Sequence, residues 1–255
     1  MYVALMVLLR KSRCPDPLYV FLVIMINRYL VYTRSMNYDA WARSNKKAIA
    51  KEFISKFGAK STDVPMAVFT AGIPGAGKTE FLDRLFQGNN DFVRMDLDEI
   101  VKLFPGYSPE KYYLYRGGSN IILEAVFDQC REKKFNFVMD GTLSHAKAVE
   151  NIRRTLKRHT VVLFYIWQEP QKAWQLTKDR ELLTKRGVSK DGFINACLEV
   201  PKNLKLILSE FSNSVIVIAI KKSDDHEYQI IRDPAQIDTL LSKTYTRKSI
   251  EGIIL

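Results

Sequence analysis

Residues 72–79 read Gly72-Ile73-Pro74-Gly75-Ala76-Gly77-Lys78-Thr79 and match the spacing GxxxxGK[ST]. An apolar stretch, Met66–Ala71, precedes them, and an amphipathic stretch with Phe81 and Leu82 follows. Glycines let the backbone turn so that successive N–H groups point inward, and the following helix adds its own unpaired N–H groups. In such a loop the lysine reaches the β- and γ-phosphates and the threonine hydroxyl binds Mg²⁺. The eight residues therefore predict a phosphate-binding loop between a strand and a helix.

Strands and helices alternate along the chain on both sides of this loop. Short apolar runs predict strands at 66–71, 92–96, 135–140, 160–167 and 214–220, with an edge strand at 226–232. Helical spacing of apolar residues predicts helices at 40–57, directly after residue 79, and at 98–104, 119–134, 145–158, 169–185, 190–211 and 234–243. The alternation predicts an α/β fold of the P-loop NTPase type, kinase-like, with a mostly parallel sheet and helices on both faces.

The composition is that of an ordinary globular protein. Of 255 residues, 47% are hydrophobic and 26% are charged, which excludes a disordered, collagen-like or coiled-coil chain. Cys14, Cys130 and Cys197 are widely spaced, which excludes a disulfide scaffold and a cysteine zinc site and fits a reducing cytoplasm. The net charge of +11 indicates phosphate-bearing partners, although residues 1–64 contribute 11 basic and only 4 acidic residues to it.

The first 35 residues differ from the rest of the chain. Two apolar runs, 1–9 and 18–26, are each about half the length of a transmembrane helix, and no small-residue cleavage site follows the second. We expect Met36 to be the natural start, residues 1–35 to be an extension outside the fold, and 36–255 to form a single domain. A signal peptide or a membrane anchor is the alternative for the extension.

Carboxylates follow two of the predicted strands, at the sheet edge where parallel strands of this fold class bind ligands. Asp140 ends an apolar strand, a pattern typical of a residue that holds Mg²⁺ directly or through water; the alternative is a cap on the next turn. Asp98 is a candidate general base for an acceptor hydroxyl, and the alternative is the N-cap of a helix at 99–104. Asp96 has the same two interpretations.

Charged residues on two of the predicted helices either have a function or lie on a solvent-exposed face. Glu124 lies in the middle of a helix and belongs to a solvated face unless that face looks into the cleft. The predicted helix at 169–185 and the residues after it are basic. They form either a solvated face or a lid over the γ-phosphate, and they include Lys172, Lys178, Arg180, Lys185 and Arg186.

In order and spacing, four stretches resemble the motifs of the zeta toxin family. The members of this family are P-loop kinases of toxin–antitoxin systems. The four stretches are residues 74–79, Met95-Asp96-Leu97-Asp98-Glu99, Pro105-Gly106-Tyr107 and Asp140-Gly141-Thr142. The resemblance covers about residues 45–212. It implies transfer of the γ-phosphate of ATP, or of GTP in some members, to the 3′-hydroxyl of UDP-N-acetylglucosamine, with Mg²⁺ as the cofactor.

The resemblance also implies roles for individual residues. Asp98 falls on the family's catalytic base, Glu124 on a sugar-binding carboxylate and Thr142 on a substrate-contacting threonine. Arg180 and Arg186 fall on two arginines that stabilise the transferring phosphate, beside Lys78 of the loop. A separate antitoxin protein is the partner that the resemblance implies.

This sequence departs from the family pattern on the acceptor side. Ser144 stands in a region where many members have an arginine, and Phe104 stands where a histidine often precedes the proline. One alternative is therefore a kinase of the same fold that acts on a nucleoside, a nucleic-acid end or another metabolite. Another is a nucleic-acid-associated NTPase, although the positive charge is concentrated outside the kinase unit. We expect a cytoplasmic protein with nucleotide and sugar-nucleotide substrates, and neither a specific nucleic acid nor a membrane as a partner.

Overall fold

The computed structural model describes residues 37–89, 91–184, 187–222, 228–243 and 245–254. The expectations for residues 1–35, for Lys185 and for Arg186 lie outside the described residues. Within the described part of the chain, no helix is both long enough and apolar enough to cross a bilayer.

A six-stranded sheet in the order β2-β3-β1-β4-β5-β6 forms the centre of the described structure. Its strands are β1 (Met66–Ala71), β2 (Val93–Met95), β3 (Phe137–Met139), β4 (Thr160–Trp167), β5 (Val215–Lys222) and β6 (Tyr228–Ile231). Neighbours from β2 to β5 are parallel, and β6 is antiparallel to β5. The predicted mostly parallel sheet and its edge strand are confirmed. β1, a middle strand, is buried from Ala67 onward, as expected for a strand that is covered on both faces.

Helices connect and cover the strands. They are α1 (Tyr38–Ser55), α2 (Lys78–Leu85), α3 (Leu97–Val101), α4 (Tyr112–Glu132), α5 (Ala146–Thr155), α6 (Pro170–Thr184), α7 (Lys190–Glu210), α8 (Pro234–Leu241) and α9 (Arg247–Ile253), with a short 3₁₀ turn at Pro109–Lys111. The sequence did not predict α9, and the predicted start of α4 at residue 119 is wrong by a helical turn or two. The tyrosine-rich stretch is helical because Tyr115 is buried there and donates its hydroxyl to Gly106 O at 2.7 Å.

An aromatic cluster fixes α1 against α4. Phe104 is 3% exposed and lies with its ring centroid 4.9 Å from Trp41 and 5.7 Å from Tyr115. Helix α4 passes so close that a Cβ added at Gly118 would lie 2.7 Å from the Phe104 ring. Phe104 is therefore part of the core and not a surface for an acceptor, which corrects its expected place on the acceptor side.

Backbone hydrogen bonds join the loops that follow β1, β2 and β3. Gly72 N–H donates to Thr142 O at 3.1 Å, and Asp140 N–H donates to Met95 O at 3.2 Å. The carboxyl ends of the three strands are thereby held at one edge of the sheet, where this fold class places its ligands.

Candidate active site

The phosphate-binding loop leaves β1 at Gly72 and enters α2 at Gly77. Gly75 has φ +79° and Gly77 has φ +87°, a backbone region that side chains strongly disfavour. Helix α6 crosses directly over the loop, because a Cβ added at Gly75 would lie 2.1 Å from Ala173 O and 3.0 Å from the Thr177 side chain. Gly75 is thus required both by its own backbone conformation and by the close approach of α6.

The Lys78 ammonium lies inside the phosphate-binding loop. Its Nζ donates to Gly72 O and to Ile73 O, each at 2.9 Å. Burial lowers the pKa of the Lys78 ammonium to about 8, against the opposing effect of Asp140 and with a smaller lowering effect of Arg180. The ammonium is therefore mostly charged at neutral pH, at the position where the motif places it against phosphates.

Asp140 contacts a hydroxyl of the phosphate-binding loop, and its role in holding Mg²⁺ stays a prediction. Thr79 Oγ1 donates to Asp140 Oδ2 at 3.2 Å, while Thr70 Oγ1 lies 3.2 Å from Asp140 Oδ1 and accepts from Gly141 N–H at 2.9 Å. A hydroxyl and a single carboxylate fit Mg²⁺, which keeps several waters and takes phosphate oxygens as further ligands. Among the described residues there is no cluster of three or more His, Cys, Asp or Glu that could hold a metal ion by itself. The donor set therefore fits an ion that arrives with a nucleotide.

The two aspartates after β2 have different roles. Asp96 is the N-cap of α3 and accepts from Asp98 N–H at 2.8 Å, so the alternative that Asp98 is the cap is wrong. Burial raises the pKa of the Asp96 carboxyl to about 6, with smaller contributions from Asp98 and Asp140. Asp98 lies in the first turn of α3, and its Oδ2 accepts from Arg180 Nη2 at 3.0 Å.

Helix α6 carries Arg180 over the sheet edge. The face of α6 with Ala173 and Thr177 is buried against the loop, and Arg180 lies one turn after Thr177 and reaches Asp98 from there. The Arg180 side chain is 57% exposed, so its ion pair is open to solvent. The structure places Arg180 beside Asp98, and the lid role stays a prediction, while Arg186 lies outside the described residues.

Glu124 lies on α4, and Thr142 lies in the segment that follows β3. Glu124 Oε1 accepts from Arg154 at 2.6 Å and lies 3.1 Å from Lys147 Nζ, both on α5. The Thr142 hydroxyl lies 2.7 Å from the Ser144 hydroxyl. Glu124 therefore does not belong to a purely solvated face, and its carboxylate lies between two cations.

Sequence reasoning missed three residues that support this edge. Arg154 joins Glu124 to Asp128 by two ion pairs, and buried Asn203 donates to Leu143 O at 2.9 Å across 60 residues of sequence. Arg94 pairs with Asp83 and lies 3.6 Å from Asp140 Oδ2. Only one signal was available for Arg154, the basic helix predicted at 145–158. Nothing local distinguishes Asn203 or Arg94 from other polar residues.

Comparisons with known proteins identify similar chains. The zeta toxin family model matches residues 50–232. A solved structure of the PezAT chromosomal toxin–antitoxin system of Streptococcus pneumoniae superposes with a TM-score of 0.56 at 19% identity, over 83% of this chain and 87% of that chain. The structure of AvrRxo1-ORF1:ORF2 with ATP superposes with a TM-score of 0.57 at 14% identity, over 80% of this chain and 70% of that one.

At these identities the two solved structures show the fold alone. A comparison with curated proteins found no match. The family match, in contrast, spans most of the chain and includes the loop, both aspartates after β2, Asp140 and the lid helix. From its sequence and its P-loop kinase fold, this chain belongs to the zeta toxin family.

Proposed function

We propose that the protein is an ATP-dependent kinase that phosphorylates a hydroxyl of a small metabolite, with the 3′-hydroxyl of UDP-N-acetylglucosamine as the first candidate acceptor. The observation that carries the proposal is the 3.0 Å contact between Arg180 and Asp98. It joins the candidate base to a guanidinium of the helix that lies on the phosphate-binding loop.

The nucleotide side of the proposal follows from the loop. The polyphosphate of ATP accepts from the backbone N–H groups at the start of α2, and Lys78 turns from the two loop carbonyls to the phosphate oxygens. Thr79 and Asp140 are the residues that would hold Mg²⁺, which supplies neutralisation of phosphate charge when bound. GTP would use the same loop, because none of these groups contacts a base.

The transfer step uses Asp98 and the arginines. Asp98 accepts the proton of the acceptor hydroxyl while the oxygen of that hydroxyl bonds to the γ-phosphorus and the bond to the β-phosphate oxygen breaks, which releases ADP. Arg180 leaves Asp98 for the transferring phosphoryl group, where positive charge stabilises the charge on the equatorial oxygens. We expect Arg186 to join it.

The acceptor side supports a second candidate function as well. In the first candidate, Glu124 and Thr142 bind the sugar of the acceptor. However, Glu124 already pairs with Arg154 and Lys147, and Ser144 occupies the region where many family members have an arginine. The second candidate is therefore a kinase with the same phosphate chemistry that acts on another hydroxyl compound.

The family membership supports a partner and a compartment. We propose that a separate antitoxin protein neutralises the activity, as expected for this family, and that the reaction takes place in the cytoplasm, where ATP is available. The two described cysteines, Cys130 and Cys197, are buried free thiols, which is compatible with a reducing compartment.

The test is phosphate transfer from γ-labelled ATP by the full chain with Mg²⁺ and UDP-N-acetylglucosamine. We expect a labelled sugar nucleotide, and a loss of transfer of at least about 100-fold in Asp98→Asn, with ATP binding retained, because the base is lost while the loop is intact. Asp179→Asn is the matched control, since Asp179 lies beside Arg180 on α6 and hydrogen-bonds Gln175 instead.

Each result separates one part of the proposal from another. Unchanged transfer by Asp98→Asn would contradict the base assignment. ATP binding without a labelled sugar nucleotide would favour the second candidate and direct the search to other hydroxyl acceptors. An inability to bind ATP at all would overturn the kinase proposal.

A further inference from the structure

A lysine at the end of β5, two strands from β1 in the sheet, reaches the phosphate-binding loop. Lys222 is the last residue of β5, and its Nζ donates to Glu80 Oε2 at 2.9 Å. The Lys222 ammonium also lies 3.9 Å from the position that a Cβ on Gly77 would take. The Lys222 side chain is only 12% exposed, although lysine side chains are mostly exposed to water unless they are paired. Lys222 is thus packed beside the phosphate-binding loop.

Its partner, Glu80, lies at the same helix N-terminus that the phosphate-binding loop leads into. Glu80 follows Thr79 in the first turn of α2, and its Oε2 lies 3.5 Å from the Cβ position of Gly77. A carboxylate there interacts favourably with the helix dipole, but so does a bound phosphate, and the two anions repel each other. An unpaired Glu80 would therefore oppose the binding of a polyphosphate at the same helix N-terminus.

The β5–β6 pair fixes the place of Lys222. Tyr228 is the cross-strand partner of Lys222, and it packs on α2 with its ring centroid 6.0 Å from that of Phe81. The Arg84 guanidinium lies 5.4 Å from the centroid of the Tyr228 ring. Because this hairpin is anchored on the helix that begins at the loop, the Lys222 ammonium is held against Glu80 without help from a ligand.

We propose that Lys222 is a positioning residue for nucleotide binding: it neutralises Glu80 and keeps that carboxylate away from the polyphosphate. The inference rests on the nucleotide-binding part of the proposed function and is independent of the acceptor. It assigns a role to the ion pair of Lys222 and Glu80, which belongs neither to the motif at residues 72–79 nor to the candidate base Asp98 nor to helix α6. Since Glu80 is 62% exposed, the pair contributes little to folding, and its effect is expected on binding.

The experiment measures the dissociation constant of ATP by calorimetry on the full chain with Mg²⁺ and without acceptor. We expect Lys222→Met to weaken ATP binding roughly five- to tenfold, because an uncompensated carboxylate then faces the phosphates. Glu80→Gln added to Lys222→Met is expected to restore the affinity to within about twofold of the unmodified chain. Lys222→Arg, which keeps the charge, is expected to bind ATP as the unmodified chain does.

A matched control separates this effect from net charge. Lys202→Met removes the same charge from an ion pair with Glu199 on α7, and we expect it to leave ATP binding unchanged. Thermal unfolding of each variant shows that the chain is folded before binding is compared.

Two results would overturn the inference. The first is an unchanged ATP affinity in Lys222→Met. The second is a double variant that binds as weakly as Lys222→Met alone, which would mean that Lys222 acts on the nucleotide by itself. If the unmodified chain binds no ATP, both proposals fail, whereas a failure to phosphorylate UDP-N-acetylglucosamine leaves this one standing.

Discussion

The phosphate side and the acceptor side of the same sheet edge are built in different ways. On the phosphate side, the loop itself is shaped by local contacts, since Lys78 donates to carbonyls five and six residues before it. On the acceptor side, charged side chains meet across long stretches of sequence, with Arg180 and Asp98 separated by 82 residues. The loop backbone depends mainly on its shape and the acceptor side on paired charges, so an added atom should have its largest effect in the loop and a removed charge its main effect on acceptor binding at the acceptor side.

The largest effect is expected from Gly75→Ala on the phosphate side. The new methyl group would lie 2.1 Å from Ala173 O in a backbone conformation with φ +79°, so either the loop or α6 must move. We expect ATP affinity to fall by at least about 100-fold and the free energy of unfolding to fall by about 2 kcal/mol. Calorimetry with ATP and urea unfolding measure the two quantities.

Gly141→Ala is the control for this change. Gly141 lies next to Asp140 on the same edge, but a Cβ there would meet no atom of the other described residues within 4 Å, so stability should be nearly unchanged. Normal ATP binding by Gly75→Ala would show that α6 does not need its close contact with the loop.

This difference also explains how much the sequence predicted. The loop, the alternation of strands and helices and the position of Asp140 at the end of a strand were predictable from the sequence. A spacing of residues fixes a local backbone, and alternating periodicities fix a mostly parallel sheet. The start of α4 was not predictable, because the stretch is polar in pattern and Tyr115 becomes a core residue only when Tyr38 of α1 packs on it.

The candidate site was predictable only in part for the same reason. The sequence placed Asp98 and Asp96 together but could not decide which of them caps α3, since both are suitable N-cap residues. It also could not predict that Arg154 binds Glu124 and Asp128, because ion pairs between different helices leave no spacing to recognise. Roles that depend on such pairs still need to be measured.

An intermediate effect is expected from Arg154→Gln on the acceptor side. Without Arg154, Glu124 and Asp128 lose a shared cation, and the orientation of Glu124 then depends on Lys147. We expect KM for the acceptor to rise about tenfold, with KM for ATP unchanged, because positioning of the acceptor alone is affected. Steady-state kinetics with each substrate varied in turn gives both constants.

The neighbouring residue supplies a matched control for that test. Arg153 lies on the same helix and pairs with Glu150 and Glu210 instead, so Arg153→Gln should leave both KM values unchanged. An equal rise of both constants in Arg154→Gln, or the same rise in Arg153→Gln, would count against a specific role of Arg154 in the acceptor site.

The smallest effect is expected from Asp96→Asn, between the two sides. The pKa of Asp96 is raised to about 6 in the folded chain, because burial and the nearby charges of Asp98 and Asp140 outweigh the hydrogen bond from Asp98 N–H and the charge of Arg94. The folded state thus binds the Asp96 proton more tightly than the unfolded state does. Above pH 6 the ionised carboxylate lowers the free energy of unfolding, and this loss is recovered as the pH falls toward 4. Asparagine caps a helix equally well and carries no charge.

We therefore expect Asp96→Asn to raise the free energy of unfolding by about 1 kcal/mol at pH 7.5, and the gain to vanish near pH 4. Urea unfolding of both proteins at several pH values without nucleotide measures it. Asp233→Asn is the control, because Asp233 is an exposed N-cap of α8 that accepts from Ala235 N–H at 3.1 Å. If the gain in the free energy of unfolding persists at pH 4, Asp96 destabilises the fold by its shape and not by its charge. Steric fit would then govern this position, as it governs Gly75 in the loop.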